Sequence, residues 1–139
     1  MTYWAEQYLG LPWESGAQGP DSYNCWGLVR KVAMTHFGYE PPMIAIDESQ
    51  GLQVRKAFRK HPEHSRYYVV DVPKAGDIVE MGTRKDMWHV GIWLDVDGGG
   101  ILHCVEGVGV VFTQPRHIRL LGWTQMLYWR FLKEVEHAG

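Results

Sequence analysis

Apolar residues fall into two regimes along this chain: helical spacing up to about residue 60, then short alternating or β-branched runs beyond Pro62. Thr2 to Leu9 predicts a short opening helix, with Thr2 as cap and Trp4, Tyr8 and Leu9 on one side. Gly10 to Asn24, rich in Gly, Pro, Ser and Asp, reads as an irregular loop. A helix is then expected from about Asn24 to His36. Leu28, Val29 and Val32 form its apolar stripe, Arg30 and Lys31 face solvent, and Gly38 ends it. Pro41-Pro42 opens an extended connector. Glu48 to Lys60 predicts a second amphipathic helix, with Arg55, Lys56, Arg59 and Lys60 on a solvated face.

Strands are expected at Arg66–Asp71, Asp77–Met81, Trp88–Val96, Ile101–Val105, Val108–Thr113, His117–Leu121 and Met126–Leu132. Asp97-Gly98-Gly99-Gly100 and Glu106-Gly107 are hairpin turn signals, and Pro73 confines the first strand to a sheet edge. Helices first and antiparallel strands after predict one α+β domain over residues 1–139, its N-terminal helices packed on a small antiparallel sheet or partial barrel.

Composition narrows the function classes. At 139 residues, 45% hydrophobic and 22% charged, the chain can bury a core of its own. The formal net charge is −2 and no long basic run occurs, which argues against a nucleic-acid partner. No apolar run approaches the ~20 residues of a membrane helix, so membrane insertion is not expected. The first residues lack the basic and apolar segments of a secretory signal, so synthesis in the cytoplasm is expected. Cys25 and Cys104 form no C-x-x-C pair, which argues against a zinc ribbon or disulfide framework and leaves one disulfide between them open.

Cys25 is the most informative residue. It stands where the glycine-rich loop gives way to a helix, and the first-turn N–H groups and helix dipole favour a thiolate there. His89 alternates with Gly91 and Trp93 on one strand face, and Val90, Ile92 and Leu94 make the more apolar other face. Gly91 leaves room for the Cys25 helix to cross close by. A hairpin through the glycine run makes the strand bearing His103 the neighbour of the one bearing His89. This predicts Cys25 as nucleophile, His89 as the base that later protonates the leaving amine, and His103 as the group that holds the His89 ring. The Cys25 backbone N–H is a candidate oxyanion donor, and Tyr23 or Trp13 could wall the cleft or add a donor.

Each of these residues also has a structural reading. A lone cysteine in an amphipathic helix is more often a small core residue, and a strand histidine is usually structural. Their conjunction is what points to catalysis. Metal binding by Cys25, His89, His103 and Cys104 is disfavoured, because the adjacent strand residues His103 and Cys104 point to opposite faces. No metal or cofactor is expected. His61, His64, His117 and His137 read as surface residues, and Asp95 and Asp97 as flanks of a turn. Trp88, Trp93, Trp123 and Trp129, among seven tryptophans, read as core or cleft walls.

Four stretches, Asn24-Cys25-Trp26-Gly27-Leu28-Val29, Pro73-Lys74-Ala75-Gly76-Asp77-Ile78-Val79, His89-Val90-Gly91-Ile92-Trp93-Leu94 and Ile101-Leu102-His103, resemble in content and order the NlpC-type (NlpC/p-sixty) cell-wall peptidases. That group is papain-like, and the resemblance spans about Tyr8 to Phe112. It implies a cysteine peptidase with Cys25, His89 and His103 as its triad. It further implies hydrolysis of an amide bond in peptidoglycan stem peptides, often between D-γ-glutamate and diaminopimelate. The Cys-Trp-Gly-Leu-Val-Arg wording is similar to phage tail-associated members, which implies tail proteins as partners and a virion tail component acting at the cell wall. A structural tail-assembly module with little hydrolysis, or an acyl transferase on the same fold, are the alternatives. Asn24 and Trp26 stand where many members carry Asp and Ser, so Trp26 is expected to reshape the cleft. Cys104 follows His103 where a small residue is common, a change expected to touch core packing.

Overall fold

The computed structural model describes residues 4–43, 66–83 and 87–132. The helix expected over Glu48–Lys60, and His61, His64 and His137, lie outside the described residues. Of the expected opening helix, Thr2 and Tyr3 lie outside the described residues and Trp4–Gln7 forms a 3-10 turn, whose Trp4 ring stacks on His36 at 3.6 Å between ring centroids.

The first long element, α1 (Cys25–Val32), begins where the sequence implies. Asn24 has extended backbone at φ −95° and ψ −179°, and its Oδ1 accepts the Gly27 N–H at 2.6 Å, an N-cap that satisfies one first-turn donor. Gly27 is required by close approach: a Cβ there would run into the Ala17 carbonyl oxygen. The helix continues through a π turn, Ala33–Phe37, and stops at Gly38, whose φ of 71° is left-handed. Leu28, Val29 and Val32 are wholly buried, as their spacing implies. Arg30 is not the solvated residue expected from its polarity. It is 7% exposed, its Nε donates to the Pro41 carbonyl at 3.0 Å, and its Nη2 pairs with Glu40 at 3.2 Å. The Pro41-Pro42 connector folds back over the helix and supplies the acceptor.

Among the described residues six strands follow: β1 (Tyr67–Val70), β2 (Ile78–Gly82), β3 (Met87–Leu94), β4 (Gly100–Val105), β5 (Gly109–Thr113) and β6 (Gln125–Phe131). They form one antiparallel sheet in the order β1-β6-β2-β3-β4-β5. β1 lies at an edge, as Pro73 implies. The β3–β4 turn takes positive φ at Asp97 (51°), Gly98 (85°) and Gly99 (101°), which is why the turn is glycine-rich. The α+β architecture expected from the order of elements is the one found.

His117–Leu121 is not the strand its composition suggested. Pro115–Ile118 forms a short helix, α2, and Arg119–Leu121 a 3-10 turn ended by Gly122 at φ 100°. Pro115 at the first helical position is preorganised for a helix and has no N–H to leave unpaired. Only Ile118 of this stretch turns inward, and Leu120 and Leu121 are 81% and 51% exposed.

The sheet separates two apolar layers. Val90, Ile92 and Leu94 of β3 and Leu102 and Cys104 of β4 pack with Cys25, Trp26, Leu28, Val29 and Val32 of α1. Val79, Met81, Trp93 and Ile101 pack on the opposite face with Ile118 and Trp123. The helix therefore covers the more apolar face of β3, not the Gly91 face. The space at Gly91 is taken by the neighbouring strand, for a Cβ would lie 2.8 Å from the Leu102 carbonyl oxygen and 2.9 Å from the His103 Cβ.

Candidate active site

The loop before α1 is held by its own backbone. Tyr23 N–H donates to Pro12 at 3.1 Å, Asn24 N–H to Ala17 at 3.0 Å, and Glu14 N–H to Tyr23 at 3.1 Å. This delivers Cys25 to the first position of α1 with 8% of its surface exposed. Cys104 is wholly buried beside this entrance and donates its thiol to the Tyr23 carbonyl at 3.2 Å. Burial first, and the nearby Cys25 second, push the Cys104 thiol up to about 12. Cys104 is thus protonated at neutral pH and has no nucleophilic form to offer.

His89 and His103 meet as the hairpin argument implies. Gly91 is the direct cross-strand partner of His103, and the β3–β4 register runs from Leu94↔Gly100 to Gly91↔His103. His89 sits two residues further along the same face. His89 Nε2 and His103 Nδ1 are 2.9 Å apart, and His103 Nε2 is 2.9 Å from Thr113 Oγ1. The indole of Trp123 lies parallel to the His89 ring at 4.3 Å with 4° between planes, and edge-on to His103 at 5.6 Å. His89 is 7% exposed and His103 is not exposed at all.

This burial governs their protonation. Desolvation lowers His89 well below the usual 6.5, with His103 adding to the effect, and desolvation takes His103 to about 4. Both rings are neutral at pH 7. The unfolded chain takes up these protons before the folded one, so stability is complete above 6.5 and is lost as pH falls from 6.5 toward 4. His103→Asn is expected to flatten that loss in urea titrations run between pH 7 and pH 4. An unchanged slope would show that His103 does not carry it.

The remaining expected site residues divide. Tyr23 and Trp26 are core residues, 1% and 0% exposed, and Trp26 Nε1 donates to the Pro42 carbonyl at 2.9 Å. The indole at 26 turns inward because Pro42 offers a buried acceptor, so it does not reshape a cleft surface. Tyr23 packs edge-on to Tyr8 at 6.2 Å and presents no surface to a ligand. Trp13 is half-buried and bridges to Tyr23 through backbone. His117 is exposed, as its polar surroundings imply. Two neighbours of the imidazoles escape sequence reading: Thr113, and the parallel stacking of Trp123. Alternation along β5 signals the former, since Thr113 shares a face with Val111, the direct partner of His103.

Residues 10–128 match the model of the NlpC/P60 family. The chain belongs to the NlpC/P60 family. The matched segment of this NlpC/P60 chain contains α1, β1 to β5 and most of β6, and therefore every residue of the candidate site. Among solved structures, the NlpC/p60 domain of the peptidoglycan hydrolase SagA is similar at a TM-score of 0.56 and 22% identity, covering 89% of this chain and 91% of that one. That likeness establishes the shared papain-like fold. An N-acetylmuramoyl-L-alanine amidase from Bacteroides uniformis ATCC 8492 covers 91% of this chain and 96% of its own, at a TM-score of 0.47 and 14% identity. No curated protein matches the sequence significantly.

Proposed function

We propose that this NlpC/P60 chain is a cysteine peptidase that hydrolyses an amide bond in peptidoglycan stem peptides, the D-γ-glutamyl–diaminopimelate bond being the first candidate. The observation that carries this reading is the 2.9 Å contact between His89 Nε2 and His103 Nδ1. It commits one nitrogen of His89 to an orienting partner and leaves Nδ1 for proton exchange. Cys25 packs at the start of α1 on the Cys104 side of the sheet, so this mechanism requires its thiol to reach that nitrogen around the end of the β3–β4 ladder beyond Gly91↔His103.

In the forward step Cys25 Sγ bonds to the scissile carbonyl carbon as its proton passes to His89 Nδ1. The carbonyl oxygen takes the electron pair, with the Cys25 N–H at the start of α1 as candidate donor. As the carbon–nitrogen bond breaks, His89 returns the proton to the leaving amine, and a thioester remains. Water, deprotonated by His89, then releases the carboxylate and restores the thiol. A neutral His89 suits this cycle, because a protonated base could not begin it.

The SagA domain gives the substrate class its support, as does the Cys-Trp-Gly-Leu-Val-Arg wording for a phage tail setting, with tail proteins as partners and delivery to the cell wall. Mass spectrometry of purified sacculi incubated with the protein tests the reaction. Released fragments bearing a new carboxylate and a new free amine are expected. Products that carry an added amine in place of the carboxylate would mark an acyl transferase, and intact sacculi would point to the structural tail module.

A further inference from the structure

We propose that Thr113 is a positioning residue for the histidine pair: its hydroxyl accepts the N–H of His103 Nε2 and so supports the tautomer that keeps His89 Nδ1 ready to take a proton. The inference rests on the proposed catalytic reading but stands on its own geometry.

Thr113 lies on β5, opposite Ile101 and diagonal to His103, a separation that side chains on one sheet face can span. The three groups form a line, Thr113 Oγ1 to His103 Nε2 at 2.9 Å and His103 Nδ1 to His89 Nε2 at 2.9 Å. Two proton arrangements satisfy this line. In one, His89 Nε2 donates to His103 Nδ1, His103 Nε2 donates to Thr113, and His89 Nδ1 carries a lone pair. In the other every bond runs backward, so His89 Nδ1 already holds a hydrogen and cannot accept one from a thiol.

Only the first arrangement survives the reaction. Once His89 takes a second proton both its nitrogens are donors, so His103 Nδ1 must accept and His103 Nε2 must carry its hydrogen. That hydrogen is enclosed, since His103 has no exposed surface. Without the Thr113 oxygen it would be a buried donor lacking a partner, which is strongly unfavourable. The reverse tautomer would leave only an unpartnered acceptor and would be favoured instead. A hydroxyl at position 113 removes this bias against the productive arrangement.

Thr113→Val keeps the β-branched shape and deletes the oxygen, and Thr113→Ser restores an oxygen on a smaller side chain. Two readouts are needed: imidazole 15N NMR for the position of the His103 proton, and steady-state kinetics on stem peptide. Wild type is expected to carry the His103 proton on Nε2, and the valine variant to move it to Nδ1. The valine variant is expected to lose about 10-fold in kcat with KM unchanged, and serine to recover most of it. A His103 proton on Nδ1 in wild type, or a valine variant with wild-type tautomer and kcat, would overturn the proposal. So would a serine variant no better than valine. If wild type releases no fragment at all, the catalytic reading fails, while the NMR result still decides whether Thr113 sets the tautomer.

Discussion

Cys25→Ala is expected to reduce stem-peptide release by at least about 10³-fold, down to the background of the assay. On the proposed mechanism, no second thiol can replace Cys25. Cys104 is the other thiol, but it is wholly buried, bonded to the Tyr23 carbonyl, and held protonated up to about 12. His89→Ala should lose about 10²- to 10⁴-fold, the usual range for a general acid–base group. Cys104→Ala should stay near wild type at temperatures where it remains folded. Release by folded Cys25→Ala at the wild-type rate would remove the enzyme from the nucleophilic class. Equal losses from Cys25→Ala and Cys104→Ala would mean that packing, not chemistry, sets the rate.

Arg130→Leu is expected to produce the largest loss of stability, about 3–5 kcal/mol in urea titration. Asp77 is 3% exposed at the mouth of β2, and it accepts Nε of Arg130 at 2.9 Å and Nη2 at 2.7 Å. Its Oδ2 also accepts the Lys74 N–H at 2.8 Å, and Arg130 Nη2 donates to the Val72 carbonyl at 3.1 Å. One carboxylate thus ties the approach to β2 to the last strand. Removing the guanidinium leaves a mostly buried carboxylate with only the Lys74 N–H as partner among the described residues, whereas Asp77→Asn with Arg130→Leu should lose less than the sum of the single losses. Folded domains are stable by only about 5–15 kcal/mol, so the single variant is expected to be close to unfolding. A loss below about 1 kcal/mol would show that this pair behaves as an exposed one.

Period-two alternation placed His89 and Gly91 on one face of β3, and the glycine run made the β3–β4 hairpin, so the imidazole pair was legible. The end of the Gly-, Pro- and Ser-rich loop near Asn24 marks the start of α1, where Asn24 proves to be the N-cap. The side of the sheet that α1 covers was not legible from the space at Gly91, because that space is filled by Leu102 and His103 across the ladder. The greater apolarity of Val90, Ile92 and Leu94 was the better guide. Arg30 and Trp26 escaped because their partners are carbonyls of Pro41 and Pro42, which carry no side-chain signal. His117–Leu121 looked like a strand because its apolar residues alternate, and Pro115 overrode that pattern. Trp123, read as a core or cleft wall, gave no sign in sequence that it would lie flat on His89, since that contact crosses from the α2 connection to β3.

The central claim is that His89 acts on Cys25, and the rate of Cys25 alkylation at neutral pH tests it most directly. Site-resolved mass spectrometry of iodoacetamide labelling should show Cys25 reacting at least about 10-fold faster in folded wild type than in folded His89→Ala, with Cys104 slow in both. Equal Cys25 rates in the two proteins would contradict the account.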